Sequence, residues 1–422
     1  MKKIIMAIIL CTALCTVAFA QNANDFKTDG KGTITKYEGW DTKIVIPAKI
    51  GDEQITAIGG GAFKNMGLTN VTLPASIKRI GGEAFAENKL TTLTIPADVT
   101  ISGYAFSKNQ LTGITIGNNC FINNNAFKDN NNLKNISMGT NIHLELETFN
   151  LYLFFDYYCN SRKAGTYDAT VKYTEKEEGD YRFLESKYGA VITNYKGNEG
   201  SRLIIPGKLG ASVVKGIFGY GSYNGAFRLK NISRMQLPDS LIFINENAFY
   251  GNQLTSVTIP NSVVYIGNNA FHNNKLTSVT IGNSVTYIGY QAFYDNQLTD
   301  VTIPNSVTYI GGEAFSNNKL TSVTIGNSVT YIGGEAFSNN YNSGKLTSII
   351  IPNSVTYIGG HAFSGNPLTS VTFQGTISKD NLGNSWFGEW RSPFGDNNDL
   401  DNEYLAGGIG TYTKTNGVWT KQ

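Results

Sequence analysis

The feature that most constrains this chain is a repeat of 22 residues in its C-terminal half. One copy reads Leu254-Thr-Ser-Val-Thr-Ile-Pro-Asn-Ser-Val-Val-Tyr-Ile-Gly-Asn-Asn-Ala-Phe271. The frame begins again at Leu276, Leu298, Leu320, Leu346 and Leu368, with four extra residues between Leu320 and Leu346. The shared pattern is LxxVxI(P/G)xxVxxIGxxAFxxxx, so each copy ends on an Ala-Phe pair.

A more diverged version of the same repeat occupies the N-terminal half. Its copies begin at Leu68, Leu90, Leu111 and Leu133, and its phenylalanines are Phe63, Phe85, Phe106, Phe127 and Phe149. A period of about 20–29 residues with this leucine spacing is typical of leucine-rich repeats. A solenoid lengthens by adding coils, so the length of 422 residues does not require several globular cores.

Each copy predicts one coil with two short strands. Val257 and Ile259 alternate with polar Ser256 and Thr258, as in a half-buried strand, and a second strand follows at 263–266. The inward set of each coil is then Leu, Val, Ile, Val, Ile, Ala and Phe. Equivalent strands should stack in parallel about 4.8 Å apart. We therefore predict a curved, β-rich leucine-rich repeat solenoid.

The two halves also begin and end alike. Residues 34–39 are similar to 192–197, and 164–167 are similar to 409–412. Because an uncapped terminal coil would expose its apolar face, we predict two tandem blocks, each with an N-terminal cap and a C-terminal β tail. The predicted divisions are a signal peptide at 1–20, a first cap and repeat block at 21–149, a first tail or linker at 150–178, a second cap and repeat block at 179–373, and a C-terminal tail or cap at 374–422.

The N-terminus predicts export. Lys2 and Lys3 precede an apolar run at 4–17, and 18–20 give a small-x-small cleavage pattern. The run is shorter than the roughly 20 residues that span a bilayer, so a cleaved signal peptide is favoured over a membrane helix. We expect a cell-surface or secreted protein with no membrane-spanning segment, and a periplasmic location stays open.

Charge and cysteine content exclude some other classes. The formal net charge is +2, which gives no electrostatic indication of nucleic-acid binding. After cleavage only Cys120 and Cys159 would be left, too few for a disulfide framework. Cys120 falls at the inward position of Val263, which predicts a small buried residue. The position of Cys159 and the state of both thiols stay open.

No catalytic, metal or cofactor motif is apparent. His143, His272 and His361 are far apart and lack neighbours at metal-ligand spacing. The acidic stretch 396–403 has Leu400 where a Ca²⁺ loop needs a ligand, so we expect a solvated loop there. We expect neither a cofactor nor enzymatic activity. A hydrolase in the tails is the least favoured alternative, since they show no acid–base constellation.

The pattern LxxVxIPxxVxxIGxxAF resembles the BspA-like, or treponemal-type, leucine-rich repeat over roughly residues 33–150 and 190–373. That family consists of surface or secreted proteins of host-associated microbes. The resemblance implies the leucine-rich repeat fold and a role in host interaction and virulence. It also implies binding to extracellular proteins such as fibronectin or fibrinogen, or attachment to other cells. The family contributes no catalytic residues.

Stacked coils turn each outward position into a row of side chains, and three rows are candidate binding residues. A serine row contains Ser256, Ser278, Asp300, Ser322, Ser348 and Ser370. A threonine row contains Thr258, Thr280, Thr302, Thr324 and Thr372, with Ile350 as the exception. A tyrosine row contains Tyr265, Tyr287, Tyr309, Tyr331 and Tyr357. The first two rows should line the concave face, and the tyrosines should be exposed.

These rows can serve structure alone, since β-branched and aromatic neighbours stabilise a sheet, or structure together with binding. The first functional hypothesis is an adhesin that binds a host matrix protein through the rows of the second block. The alternative is a glycan-binding or surface-layer scaffold that uses the same tyrosines. In that case Trp386, Trp390 and Trp419 could add stacking platforms, although packing in the cap is the favoured role for them.

Overall fold

A computed structural model describes most of the chain. The described residues are 22–123, 125–144, 157–158, 164–168, 174–186, 188–197, 202–219, 225–340, 346–383, 391–395 and 399–422. The predicted signal peptide, Cys159, Trp386 and Trp390 lie outside these ranges. Within them, no helix combines the length and apolar character that crossing a bilayer requires.

The chain divides into two compact units. The first comprises Met1–Tyr157 and Arg162–Val171, and the second comprises Tyr158–Ser161 and Lys172–Gln422. In the described residues of both units, the regular secondary structure is mostly short strands joined by turns.

The first unit stacks its coils through parallel strands. Its strands are β1 Phe26–Thr28, β2 Thr33–Tyr37, β3 Lys43–Val45, β4 Lys49–Ile50, β5 Glu53–Gln54, β6 Ala57–Ile58, β7 Asn70–Thr72, β8 Arg79–Ile80, β9 Thr92–Ile95, β10 Thr100–Ile101, β11 Gly113–Ile116, β12 Phe121–Ile122, β13 Asn135–Met138, β14 His143–Leu144 and β15 Gly165–Asp168. One sheet has the order β1-β2-β6-β8-β10-β12-β14 and is parallel from β2 onward. A second has the order β15-β13-β11-β9, while β3 pairs with β7 and β4 with β5.

The second unit repeats this plan. Its strands are β16 Thr174–Glu178, β17 Tyr181–Ser186, β18 Gly189–Tyr195, β19 Arg202–Ile204, β20 Lys208–Leu209, β21 Ser212–Ile217, β22 Arg234–Gln236, β23 Phe243–Ile244, β24 Ser256–Thr258, β25 Tyr265–Ile266, β26 Ser278–Thr280, β27 Tyr287–Ile288, β28 Asp300–Thr302, β29 Tyr309–Ile310, β30 Ser322–Thr324, β31 Tyr331–Ile332, β32 Ser348–Ile351, β33 Tyr357–Ile358, β34 Ser370–Phe373, β35 Gly410–Thr415 and β36 Val418–Lys421. An antiparallel β16-β17-β18 meander leads into the parallel order β21-β23-β25-β27-β29-β31-β33. The stacked parallel strands confirm the predicted leucine-rich repeat solenoid.

The phenylalanine of each coil lies in a continuous column in the core. In the second unit the centroids of neighbouring Phe rings, from Phe227 to Phe363, are 5.2 to 5.4 Å apart. These rings have no solvent exposure, and the leucine and alanine of the same coils are equally buried. Each coil therefore covers the apolar side chains of its neighbour. In the first unit, Cys120 lies in the equivalent apolar interior, as predicted, and burial raises the pKa of its thiol to about 11.

Both N-terminal caps begin this column with aromatic residues from outside the repeat. In the first unit Tyr37 stacks on Phe63 at 5.5 Å. In the second unit Tyr195 packs on Phe227 at 5.3 Å. The tyrosine of each duplicated opening segment therefore closes the exposed end of the Phe column.

The C-terminal tails correspond as well. Strand β15 pairs antiparallel with β13, and β35 pairs antiparallel with β34, which places Tyr167 and Tyr412 at equivalent positions. The hydroxyl of Tyr157 accepts a hydrogen bond from the Ile142 N–H, and that of Tyr404 accepts one from the Ile377 N–H. An antiparallel strand and a buried tyrosine thus terminate each unit.

The acidic stretch of the second tail differs from expectation. Residues Asp399–Gly407 form helix α1 rather than a solvated loop. Leu400 and Tyr404 lie one turn apart on this helix and are both buried, so packing of that face accounts for the helix. Trp419 is also buried, in agreement with a packing role.

A second internal column consists of asparagine and was missed from the sequence. The Asn296 amide donates to the carbonyl oxygens of Phe271 (2.9 Å) and Phe293 (3.1 Å), and its oxygen accepts from the Leu276 N–H (3.1 Å). Asparagines that bond to backbone groups of two coils in the same way are Asn88, Asn109, Asn130, Asn252, Asn274, Asn318 and Asn340. Each buried amide satisfies backbone groups where the chain turns.

In the second unit, the residue after the first strand of each coil alternates between Pro and Gly from Pro260 to Gly326, and this alternation has a steric cause. The strands β24 with β26, β28 with β30 and β32 with β34 pair two by two, with the Pro-bearing coil first. A Cβ on Gly282 would lie 2.3 Å from the Pro260 carbonyl oxygen, and one on Gly326 would lie 2.4 Å from that of Pro304. In these two pairs the second coil approaches too closely for a side chain at this position, whereas the second coil of the third pair carries Gln374 there.

Replacing Phe293 by Ala should lower the free energy of unfolding by about 3–5 kcal/mol, because it opens a cavity in the Phe column. Urea denaturation of the full chain measures the change. The exposed Lys275→Ala change is the control and should alter stability by less than about 0.5 kcal/mol. A loss below about 1 kcal/mol for Phe293→Ala would contradict the column.

Replacing Asn296 by Ala should destabilise the protein by about 2 kcal/mol or more, because it leaves the buried Leu276 N–H without a partner and removes one of the two amide bonds that the carbonyls of Phe271 and Phe293 each accept. Asn261 is a matched control, since it is exposed and accepts a single bond from the Asn283 N–H (2.9 Å). Asn261→Ala should cost less than about 1.5 kcal/mol in the same denaturation experiment. Equal losses would show that the buried asparagines have no special role.

Candidate interaction surface

The serine and threonine rows lie on one exposed strand face of the second unit. Strand pairing places Ser256 beside Ser278 and Thr258 beside Thr280, in parallel register. The side chains at these positions are exposed from β24 through β30, while the residue between them points inward. Ile350 occupies the threonine row in β32 and is 54% exposed.

From β24 to β30 the hydroxyls of these rows make no hydrogen bond among the described residues, whereas the Thr372 hydroxyl in β34 shares one with the Thr411 hydroxyl at 2.9 Å. Within the described ranges, no side-chain hydrogen bond is made by Ser256, Ser278, Ser322, Thr258, Thr280, Thr302 or Thr324. Asp300 is the exception, and its carboxylate accepts from the Thr299 hydroxyl at 3.0 Å. The face therefore offers neutral hydroxyl groups with one negative charge among them.

Two neighbouring threonine columns differ in this respect. The Thr277 hydroxyl donates to the carbonyl of Thr255 (3.2 Å), and Thr321 donates to Thr299 (3.1 Å). Beside the tyrosine row, the Thr308 hydroxyl donates to the carbonyl of Thr286 in the preceding coil (3.1 Å). These columns reinforce the stacking of coils, and their hydroxyls are already occupied.

The expectation of an exposed tyrosine row is wrong for its first two members. Tyr265 and Tyr287 are only 2% and 3% exposed, whereas Tyr309, Tyr331 and Tyr357 are half-buried. Tyr158, which belongs to the second unit, packs edge-on against Tyr265 at 5.3 Å and helps to cover it.

The tyrosine rings also stack on one another. Their centroids are 5.1, 4.8, 4.5 and 4.5 Å apart from Tyr265 to Tyr357, close to the spacing of the strands that carry them. Both faces of Tyr287, Tyr309 and Tyr331 are therefore covered by neighbouring rings.

Among the described residues, no group of three or more His, Cys, Asp or Glu side chains is arranged to hold a metal ion. His143 is buried and stacks on Phe121 at 4.4 Å. His272 lies between Tyr250 (4.7 Å) and Tyr294 (4.9 Å), and its burial lowers its pKa. Both histidines are therefore packed side chains.

The repeat identifies the family. The model of the BspA-type leucine-rich repeat region matches residues 42–162, 223–343 and 340–390, in six copies. The chain belongs to the BspA-type leucine-rich repeat family. This assignment confirms the resemblance noted from the Ala-Phe repeat.

Several solved structures resemble this BspA-type protein at low identity. A leucine-rich repeat protein from Eubacterium ventriosum is 19% identical over 80% of this chain and 89% of its own, with a TM-score of 0.33. A leucine rich cell surface protein from Faecalibacterium prausnitzii is 19% identical over 87% and 95%, with a TM-score of 0.20. The leucine-rich repeat protein of T. pallidum is 14% identical over 76% and 87%, with a TM-score of 0.18. No curated protein matches the chain.

The tyrosine row should make stability fall at high pH. Burial is the largest cause that raises the pKa of Tyr331 above its usual value near 10. The contribution of neutral Tyr331 to the free energy of unfolding is thus complete below pH of about 10. It is lost as the pH rises, because tyrosinate forms at lower pH in the unfolded chain than in the folded protein. Replacing Tyr331 by Phe should make this fall shallower. Urea denaturation between pH of about 8 and 12 measures it, and an unchanged slope would contradict the assignment.

Proposed function

We propose that this BspA-type protein is an exported, non-catalytic adhesin that binds an extracellular protein through the serine and threonine rows of its second unit. The observation that supports this most is the strand face of β24, β26, β28 and β30, whose exposed hydroxyls have no hydrogen-bond partner among the described residues. A side chain that is already ordered by its strand loses little further entropy when it binds.

The composition of this face also suits a protein partner. The centres of protein interfaces are depleted of charged residues, and this face has Asp300 as the charged member of its rows between 256 and 324. By family resemblance, fibronectin and fibrinogen are the first partners to test. The N-terminal signal at 1–20 supports delivery to the cell surface or the medium.

The alternative use of the tyrosine row as a glycan platform is less well supported. A sugar that stacks on an aromatic ring needs a free ring face, and the faces of Tyr287, Tyr309 and Tyr331 are taken by neighbouring rings. The column therefore serves packing first.

Replacing Thr258, Thr280 and Thr302 together by Ala should weaken binding to immobilised fibronectin or fibrinogen by about tenfold or more, equivalent to about 1.4 kcal/mol. Surface plasmon resonance with the full chain measures the dissociation constant. The matched control replaces Thr72, Thr94 and Thr115, which occupy the same exposed row in β7, β9 and β11 of the first unit.

The control variant should bind as the wild type does, and both variants should retain the thermal transition. Unchanged binding by the second-unit variant, or an equal loss in the control, would contradict this binding face. Absence of binding to both matrix proteins by the wild type would contradict the proposed partners.

A further inference from the structure

One coil of the second unit carries an aromatic residue at a corner where the others do not. The coil between 276 and 297 has Tyr290 just after its second strand, whereas the other coils have small or polar residues at this position, namely Glu246, Asn268, Gly312, Gly334 and Gly360. Tyr290 is 44% exposed, which sets it apart from the half-buried or buried tyrosines of the stacked row. Because these repeats are nearly identical, an exposed aromatic at a single corner is a local addition to the repeat rather than part of its packing.

The position of the Tyr290 ring is fixed by the next coil. An ideal Cβ on Gly312 would lie 3.4 Å from Tyr290 Cδ2 and 3.7 Å from Cε2, so the ring rests against the bare backbone of Gly312. Its hydroxyl donates to Glu313 Oε1 at 2.7 Å. Within the described ranges no other aromatic ring stacks on it, so ring surface stays open to solvent.

Polar groups surround this ring on the same edge of the solenoid. The Gln291 amide donates to the second oxygen of Glu313 at 2.9 Å. Carboxylate and amide groups beside a flat exposed ring are therefore held in place before any ligand arrives.

We propose that Tyr290, Gln291 and Glu313 form a binding site for a neutral or N-acetylated pyranose unit of a glycan. The C–H face of the sugar would stack on Tyr290, and vicinal hydroxyls would bond to the carboxylate and the amide. An ordered ring with a few convergent polar groups is the usual composition of a small-ligand site. The negative charge of Glu313 disfavours acidic sugars. This site is separate from the strand-face rows and does not depend on protein adhesion.

The test is an array of immobilised neutral, N-acetylated and sialylated oligosaccharides, probed with the full chain. Tyr290→Gly is the main variant, because it gives this coil the Gly-Gly corner found in the three coils that follow and should keep the fold. Its affinity for the oligosaccharides bound by the wild type should fall about tenfold or more. Tyr290→Phe should retain part of the affinity, since the ring is kept.

Tyr104→Ala is the matched control. Tyr104 is an exposed tyrosine of the first unit, 42% exposed, and its ring faces Lys128 (5.8 Å) rather than a carboxylate. This variant should bind as the wild type does. The site is refuted if the wild type binds no neutral or N-acetylated oligosaccharide, if Tyr290→Gly binds equally well, or if sialylated probes are preferred. Loss of protein binding alone in Tyr290→Gly would also refute a glycan site.

Discussion

Each coil of this protein keeps its apolar side chains away from water only because the next coil covers them. Phe293 illustrates the dependence, since its ring lies between Phe271 and Phe315 and has no exposed surface. The same neighbours hold the buried Asn296 amide, which satisfies backbone groups of two coils. Aromatic packing and amide hydrogen bonds therefore both hold each coil against the next. At the ends of each unit, where a neighbouring coil is missing, tyrosines and antiparallel strands cover the terminal coil.

Periodicity was enough to predict the fold because the inward positions recur every 22 residues. The Asn252 row recurs just as regularly, three residues after each Phe from Phe249 to Phe363, and could have been found from that signal. It was missed because asparagine beside a turn is usually explained by local backbone preference. Only the coordinates show that its amide points inward. Helix α1 lies outside the repeat, where no period was available.

The candidate surface was predictable only in part. Alternation along β24 places Ser256 and Thr258 outward, and the structure agrees. The sequence does not distinguish Thr258 from Thr277, although one hydroxyl is free and the other bonds to a neighbouring carbonyl. The burial of Tyr265 depends on Tyr158, a residue far away in sequence, so no local pattern could reveal it. The sequence therefore predicts which side chains of a strand point outward better than it predicts how far each of them is exposed to solvent.

The two-by-two pairing of coils has a consequence for how such a gene can change in length. Because Gly282 fits under Pro260 and Gly326 under Pro304, a Pro coil and the Gly coil after it form one steric module. Unequal recombination that adds or removes 44 residues preserves every junction, whereas a step of 22 brings two like coils together. The second unit can thus change in length by increments of two coils without creating a new kind of junction between coils.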